Sequence, residues 1–272
     1  MAAEATGLLA GTPVYGGLFD VVASAVCSGV SDDKTLSAVA GTWSIATCVT
    51  DRVMAAEHHY VWGSYCIPGK YFVHEGSPTS AANLSWFMRT FWGNDASLYP
   101  KFDQWVNNKR GQQSEVVFLP YLFGSNLSLN LNGSLIGMRS HHGMPDVVNA
   151  IYQGIVFSHL LHQDRVLQLN PNVERIRITG GPTHSLAWMQ MFADAGNLPL
   201  EVVDIQQCGC RAAALCAAVG AGYYANFSEA MAATQPAVRT FVPQQASHQN
   251  LRQQMTRYLH VAEALSEVEY AE

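Results

Sequence analysis

The chain has 272 residues, of which 49% are hydrophobic and 13% charged, so it can bury a core and is too apolar for a disordered protein. Its net charge of −6 provides no basic surface for the phosphates of a nucleic acid, which excludes that class of partner. No apolar stretch reaches the roughly 18 residues that a membrane span needs. The composition favours a compact α/β protein that binds neither nucleic acid nor membrane.

The predicted elements alternate between strands and helices along the chain. Helices are predicted where apolar residues recur at helical spacing, at 21–26, 80–91, 100–108, 146–169, 186–195, 208–219 and 247–268. Strands are predicted where β-branched and aromatic residues cluster between turn signals, at 37–45, 60–66, 71–74, 175–179 and 200–203. This order predicts an α/β fold with a mixed five-stranded sheet and flanking helices.

Asp20 is the candidate catalytic residue. It follows the Gly16-Gly17 turn and stands at the predicted start of a helix, where glycines leave a carboxylate unobstructed. Phosphoryl transfer needs such a group to orient the attacking hydroxyl and take its proton. An aspartate at this position can also do no more than cap its helix, which is the commoner use of the residue type.

Two glycine turns follow predicted strands and are candidate nucleotide contacts. Gly41 and Thr42 would expose backbone donors and a hydroxyl to the terminal phosphates of ATP, although an ordinary hairpin has the same sequence features. Gly180, Gly181 and Ser185 lie between a strand and a helix. There the backbone can approach an adenine or ribose, and the helix offers its positive end. The turn lacks the Gly-Lys-Ser/Thr ending of a Walker A loop.

The histidines predict no metal site. His58-His59 and His141-His142 are adjacent pairs, whose side chains are not expected to converge on one metal ion. His159 and His162 share a helix face, but the sequence indicates no third ligand. We therefore assign no metal-ligating residue.

The cysteines and the first residues favour the cytoplasm. Six cysteines are scattered along the chain, and the Cys208-Gly-Cys210 pair has no matching pair elsewhere, so reduced thiols are expected. Residues 1–5 lack the basic region and apolar run that begin a secretory signal.

A longer pattern is similar to a known family. Residues 133–153 read Gly-Ser-Leu-Ile-Gly-Met, then seven residues, then Asp-Val-Val-Asn-Ala-Ile-Tyr-Gln. This string resembles the C-terminal signature of the FGGY carbohydrate kinases. Further phrases occur in family order across nearly the whole chain, at 11–22, 39–45, 74–80, 118–126 and 178–185. The set most resembles the L-xylulose kinase branch.

The resemblance implies a ribonuclease-H-like domain, as in actin, Hsp70 chaperones and sugar kinases. It also implies ATP-dependent phosphorylation of a sugar hydroxyl, with a ketose such as L-xylulose as acceptor and ADP as product. Asp20 matches the family's catalytic base, Gly41-Thr42 its phosphate-contacting turn, and Gly180-Gly181 with Ser185 its adenosine-contacting motif. One departure is Ala212, where the family usually has a glycine in its adenosine-side helix.

The family's members begin with a further domain, and the resemblance divides this chain accordingly. Residues 1–30 are expected to be the end of that first domain or a hinge helix with the catalytic aspartate, and residues 31–272 the C-terminal nucleotide-binding domain. The phosphate loop, most sugar contacts and the Mg²⁺ ligand are expected in the first domain, so we expect this chain alone to be inactive.

Two other interpretations stay open. The chain can be a nucleotide-binding or interaction module that transfers no phosphate and forms a homodimer or pairs with the missing domain. The chain can also be a chaperone-type ATPase of the same fold, but the sugar-kinase phrases lie outside the motifs that those proteins share.

Overall fold

The computed structural model describes residues 2–54, 56–205 and 207–268. Its strands are β1 (Thr35–Ala40), β2 (Ser44–Thr50), β3 (Val61–Ser64), β4 (Tyr71–Ser77), β5 (Val117–Leu119), β6 (Ser134–Ile136), β7 (Arg175–Thr179), β8 (Leu200–Val203) and β9 (Val238–Phe241). Its helices are α1 (Ala2–Thr6), α2 (Asp20–Cys27), α3 (Ala82–Phe91), α4 (Tyr99–Asn108), α5 (Met144–Leu169), α6 (Leu186–Gly196), α7 (Cys208–Gly220), α8 (Phe227–Ala233) and α9 (Gln245–Ser266).

The central sheet confirms the predicted α/β class but has seven strands, in the order β3-β4-β2-β1-β7-β8-β9. The strands β1, β7 and β8 are parallel, and the other pairs are antiparallel. The prediction of five strands was wrong for two reasons. The segment 37–45 is a hairpin whose second arm continues as β2, and β9 is an exposed edge strand with little apolar signal.

Helices cover both faces of this sheet. On one face α5 crosses β2 and β4, with α3, α4, α6 and α9 packed around it over the larger core. On the other face a smaller core joins α2, α7 and α8 to the sheet through residues such as Val22, Phe72, Leu215 and Met231. The predicted helix 21–26 is therefore packed within the α/β layers, and the predicted domain boundary at residue 30 stays a prediction.

The helices otherwise match their predicted positions within a few residues. Two short ones, α1 and α8, were not predicted because neither is long enough for a helical period to stand out. Among the residues that the structure describes, no helix is both long and apolar enough to cross a membrane.

Candidate functional site

The predicted phosphate turn is the tip of the β1–β2 hairpin. The Gly41 N–H donates to the carbonyl of Trp43 at 3.1 Å, which closes the turn. Thr42 and Trp43 are exposed, and a Cβ placed on Gly41 would meet open space. The turn therefore presents its backbone and the Thr42 hydroxyl to a ligand.

The predicted adenosine turn lies directly beside it. Gly180 follows β7 with φ +117° and ψ 176°, a backbone conformation that is essentially limited to glycine. A side chain there would overlap the carbonyl oxygen of Ala40, the last residue of β1. Because β1 and β7 are parallel, with Val39 opposite Thr179, both chains leave the sheet at the same edge. The structure thus brings Gly41 and Gly180 together.

An open groove of about 720 Å³ runs from the Gly180-Gly181 turn along the carboxyl end of β8 and the amino end of the antiparallel strand β9. Its walls include Thr183 and His184 after β7, Asp204 after β8, and Arg239 on β9. Ligands of open α/β sheets bind outside the carboxyl ends of the strands, and pockets for small ligands commonly measure about 300–1,000 Å³. The groove has the place and size that are common for a small-ligand site.

Ser185 begins the helix α6 and holds its first turn. Its Oγ accepts a hydrogen bond from the Trp188 N–H at 3.1 Å and donates one to Asp103 Oδ1 at 2.5 Å. Burial raises the pKa of Asp103 above its ordinary value, and the bond from Ser185 opposes that rise. The Ser185 hydroxyl is thus engaged in a helix cap, while its predicted contact with adenosine stays a prediction.

We expect Ser185→Ala to lower the free energy of unfolding by about 1–2 kcal/mol, because it removes the cap and one partner of a part-buried carboxylate. Urea denaturation of the purified chain measures this loss, and Ser185→Thr, which keeps the hydroxyl, serves as the matched control. If Ser185→Ala unfolds at the same urea concentration as the wild type but binds ADP more weakly, the capping role is wrong and the nucleotide role gains support.

Asp20 lies at the start of α2, against the strand β4. Its Oδ1 accepts the N–H of Val21 at 2.8 Å, and its side chain is exposed. The preceding Phe19 packs on His74 of β4, with ring centroids 5.8 Å apart, and His74 stacks on Phe72 at 5.6 Å. Burial lowers the pKa of His74 and the nearby Asp20 charge opposes this, so the imidazole is neutral at pH 7. The carboxylate therefore stands beside an uncharged surface.

The sheet order separates Asp20 from the two turns. β4 is two strands from β1, with β2 between them, and the contacts that the structure describes for Asp20 are with α2 and β4. The turns of Gly41 and Gly180 leave β1 and β7. A ligand that contacts the turns of Gly41 and Gly180 would have to extend past β2 to contact Asp20 as well. The catalytic role of Asp20 stays a prediction.

Two buried histidines of α5 hold the end of β4 and the residues after it beside the predicted phosphate turn. His162 Nε2 lies 2.9 Å from Ser77 Oγ, and His159 Nε2 lies 2.8 Å from Ser80 Oγ. Ser77 pairs with Ser44, the first residue after the turn. Burial lowers the pKa of His159 to about 3, so this residue is neutral. Sequence reasoning missed this support, although the matched three-residue spacing of serines and histidines was a usable signal.

One cluster tests the prediction that adjacent histidines do not converge. The ligand atoms of Glu115, His141 and His142 lie within 4.8 Å of one another, because a turn at residues 139–142 folds both rings over Glu115. The two rings thus converge in space, while the prediction that they bind no metal ion stays a prediction. His142 Nδ1 accepts the N–H of Arg139 at 2.9 Å, so a neutral ring carries its proton on Nε2, which faces Glu115 at 3.5 Å. A protonated nitrogen cannot bind a metal, and Mg²⁺ prefers oxygen ligands. The cluster does not fit Mg²⁺.

The chain is similar to known sugar kinases in sequence and in fold. The L-xylulose/3-keto-L-gulonate kinase of Escherichia coli K12 is 43% identical over 97% of the chain, and a probable L-xylulose kinase of Pasteurella multocida is 41% identical over 94%. The chain spans about half the length of these relatives, 52% and 53%. A crystal structure of xylulose kinase from Rhodospirillum rubrum superimposes with a TM-score of 0.81 at 21% identity, over 97% of this chain and 54% of that one.

The structural match confirms the fold as that of the sugar kinases, which share the ribonuclease-H-like domain of actin and Hsp70. A model of the C-terminal domain of one kinase family covers residues 36–221, from β1 to the end of α7. The chain therefore belongs to the FGGY family of carbohydrate kinases.

Proposed function

We propose that this chain is the nucleotide-binding half of an ATP-dependent sugar kinase whose acceptor is a ketose of the L-xylulose class. The observation that carries the proposal is the pair of turns, Gly41-Thr42 and Gly180-Gly181, side by side at the carboxyl edge of β1 and β7. The Gly180-Gly181 turn lines an open groove, and the Gly41-Thr42 turn is the tip of the neighbouring hairpin with Thr42 exposed. Such turns can accept a phosphate chain and a nucleoside without interference from side chains.

Each predicted residue has a distinct task in this proposal. The Gly41 backbone and the Thr42 hydroxyl donate hydrogen bonds to the terminal phosphates of ATP. Gly180 and Gly181 allow the adenosine to approach the backbone. Asp20 accepts the proton of the attacking sugar hydroxyl, which raises the nucleophilicity of its oxygen. Mg²⁺ would neutralise phosphate charge, and we assign no residue of this chain to it.

The acceptor is inferred from relatives rather than from the site. Three relatives with 36–43% identity are an L-xylulose/3-keto-L-gulonate kinase and two probable L-xylulose kinases. Xylulose and erythritol kinases follow at 23–27% identity. This gradient supports a ketose of the L-xylulose class over the other substrates in the family.

Calorimetric titration of the chain with a non-hydrolysable ATP analogue and with ADP tests the nucleotide site. We expect Thr42→Ala to weaken binding of the ATP analogue about 10- to 100-fold, the value of one hydrogen bond to a charged group, and to affect ADP less. Thr90→Ala, at an exposed position on α3, is the matched control and should leave both affinities unchanged. Equal affinity of the Thr42→Ala protein and the wild type for the ATP analogue would contradict the proposed phosphate contact.

The alternative function is a nucleotide-binding or interaction module without transferase activity. The exposed apolar side chains before α2, which include Leu9, Val14 and Phe19, favour a partner on this side of the chain. The two functions separate in one measurement. The measurement is formation of sugar phosphate after the first half of a related kinase has been joined to this chain. A kinase half forms the product, whereas a binding module binds ADP and forms none.

A further inference from the structure

Two cysteines from opposite halves of the chain meet between α2 and α7. α2 ends at Cys27 and α7 begins at Cys208, and the two thiols lie close enough for each to change the ionisation of the other. At the other end of the pair, Tyr15 lies against Gly220, so the helices run in opposite directions. The packing of α2 on α7 thus fixes the two sulfur atoms next to each other, both as free thiols.

The surroundings give the two thiols different reactivity. The interaction with Cys27 and the charge of Arg211 lower the pKa of Cys208, whereas the interaction with Cys208 and burial raise the pKa of Cys27. Cys208 also occupies the first turn of a 13-residue helix, where free N–H groups favour a thiolate. The guanidinium of Arg211 is held in place by the carbonyl of Thr234.

Access also differs between the two sulfur atoms. Cys27 is 1% exposed, whereas Cys208 is partly exposed and is followed by Gly209, beside which a Cβ would meet open space. Cys208 is therefore the thiol that a small oxidant can reach, and Cys27 is a buried partner already in contact with it. This division of roles is that of an attacking and a resolving cysteine.

We propose that Cys208 and Cys27 form a reversible redox site at which a hydroperoxide links α2 to α7 by a disulfide. The Cys208 thiolate attacks one peroxide oxygen, the O–O bond breaks, and the leaving hydroxide takes a proton to become water. The resulting sulfenic acid is attacked by the Cys27 sulfur, its S–O bond breaks, and a second water leaves with the Cys27 proton. The two thiols are oxidised by two electrons, which reduce one hydrogen peroxide to two waters, and a small thiol restores both groups.

The bond would fix two parts of the molecule that adjoin the candidate site. The connection from β8 to α7 contributes Asp204 and Ile205 to the groove, and α2 begins at Asp20. A disulfide between the end of α2 and the start of α7 would keep these two helices packed on each other as they are in the structure. Because it closes a long loop of the chain, the oxidised protein should also have the higher melting temperature.

The test is oxidation of the purified chain with hydrogen peroxide, followed by alkylation of free thiols, proteolysis and mass spectrometry. We expect one crosslinked peptide that joins Cys27 to Cys208, lost on treatment with dithiothreitol, and a rise in melting temperature that dithiothreitol reverses. Cys27→Ser should leave a sulfenic acid at Cys208 that dimedone traps. Cys210→Ser, an exposed position two residues away, is the matched control and should form the crosslink as the wild type does.

The same experiment can overturn the inference. A bridge between Cys208 and Cys210, a crosslink between two copies of the chain, or oxidation of Cys208 to a sulfinic acid while Cys27 remains fully alkylated would each contradict it. The wild-type peptide map decides the matter even if the Cys27→Ser protein does not fold. None of these outcomes depends on whether the chain acts as a kinase.

Discussion

Gly180→Ala is expected to destabilise the chain by about 2–6 kcal/mol and to abolish nucleotide binding. Two costs add here. A non-glycine residue with φ near +117° and ψ near 180° lies in a backbone region that costs about 1–3 kcal/mol. The new methyl group would also overlap the carbonyl oxygen of Ala40, and such overpacking typically costs about 1–3 kcal/mol.

Gly181→Ala is the matched control for this prediction. Gly181 is the next residue, is exposed, and has open space where its Cβ would lie, so its stability should stay within about 0.5 kcal/mol of the wild type. Urea unfolding followed by circular dichroism gives both values, and titration with ADP gives the affinities. If the two variants unfold at the same urea concentration, the turn after β7 does not lie in close contact with the end of β1, and the prediction is wrong.

The sequence predicted most of the fold because its elements carry strong local signals. The helix α5 and the β7–α6 unit have clear periods and glycine breaks, and their observed bounds differ from the predicted ones by a few residues. The strand count failed at β9, because an exposed edge strand such as Val238–Phe241 has no buried face to impose an apolar pattern. The short strands β5 and β6 were not predicted for a related reason, since three residues are too few to show an alternating pattern.

The site was partly predictable for the same physical reason. Gly41-Thr42 and Gly180-Gly181 could be predicted to meet, because the carboxyl ends of parallel strands lie at one edge of a sheet. The engagement of Ser185 with Asp103 could not, because it depends on how α4 packs against α6. Nor does a linear sequence indicate that Cys27 and Cys208 are neighbours, since only the pairing of α2 with α7 joins them.

Asp20→Asn is expected to lower kcat about 10²- to 10⁴-fold with little change in the affinity for ADP. The amide cannot accept the proton of the sugar hydroxyl, and loss of a general base has an effect of this size. Its oxygen can still accept the N–H of Val21, so the start of α2 should keep its structure. A fall in kcat without a change in stability would separate a catalytic role from a capping role.

The assay needs the half of the kinase that the relatives possess beyond this chain. A chimera with the first half of the E. coli relative before this chain supplies it, and that chimera must first phosphorylate the proposed ketose acceptor. Asp95→Asn is the matched control, because Asp95 is also exposed and its Oδ1 also accepts a backbone N–H close in sequence, that of Ser97. If Asp20→Asn and Asp95→Asn retain the same turnover, Asp20 contributes only to the local structure at the start of α2, and another group must take the proton.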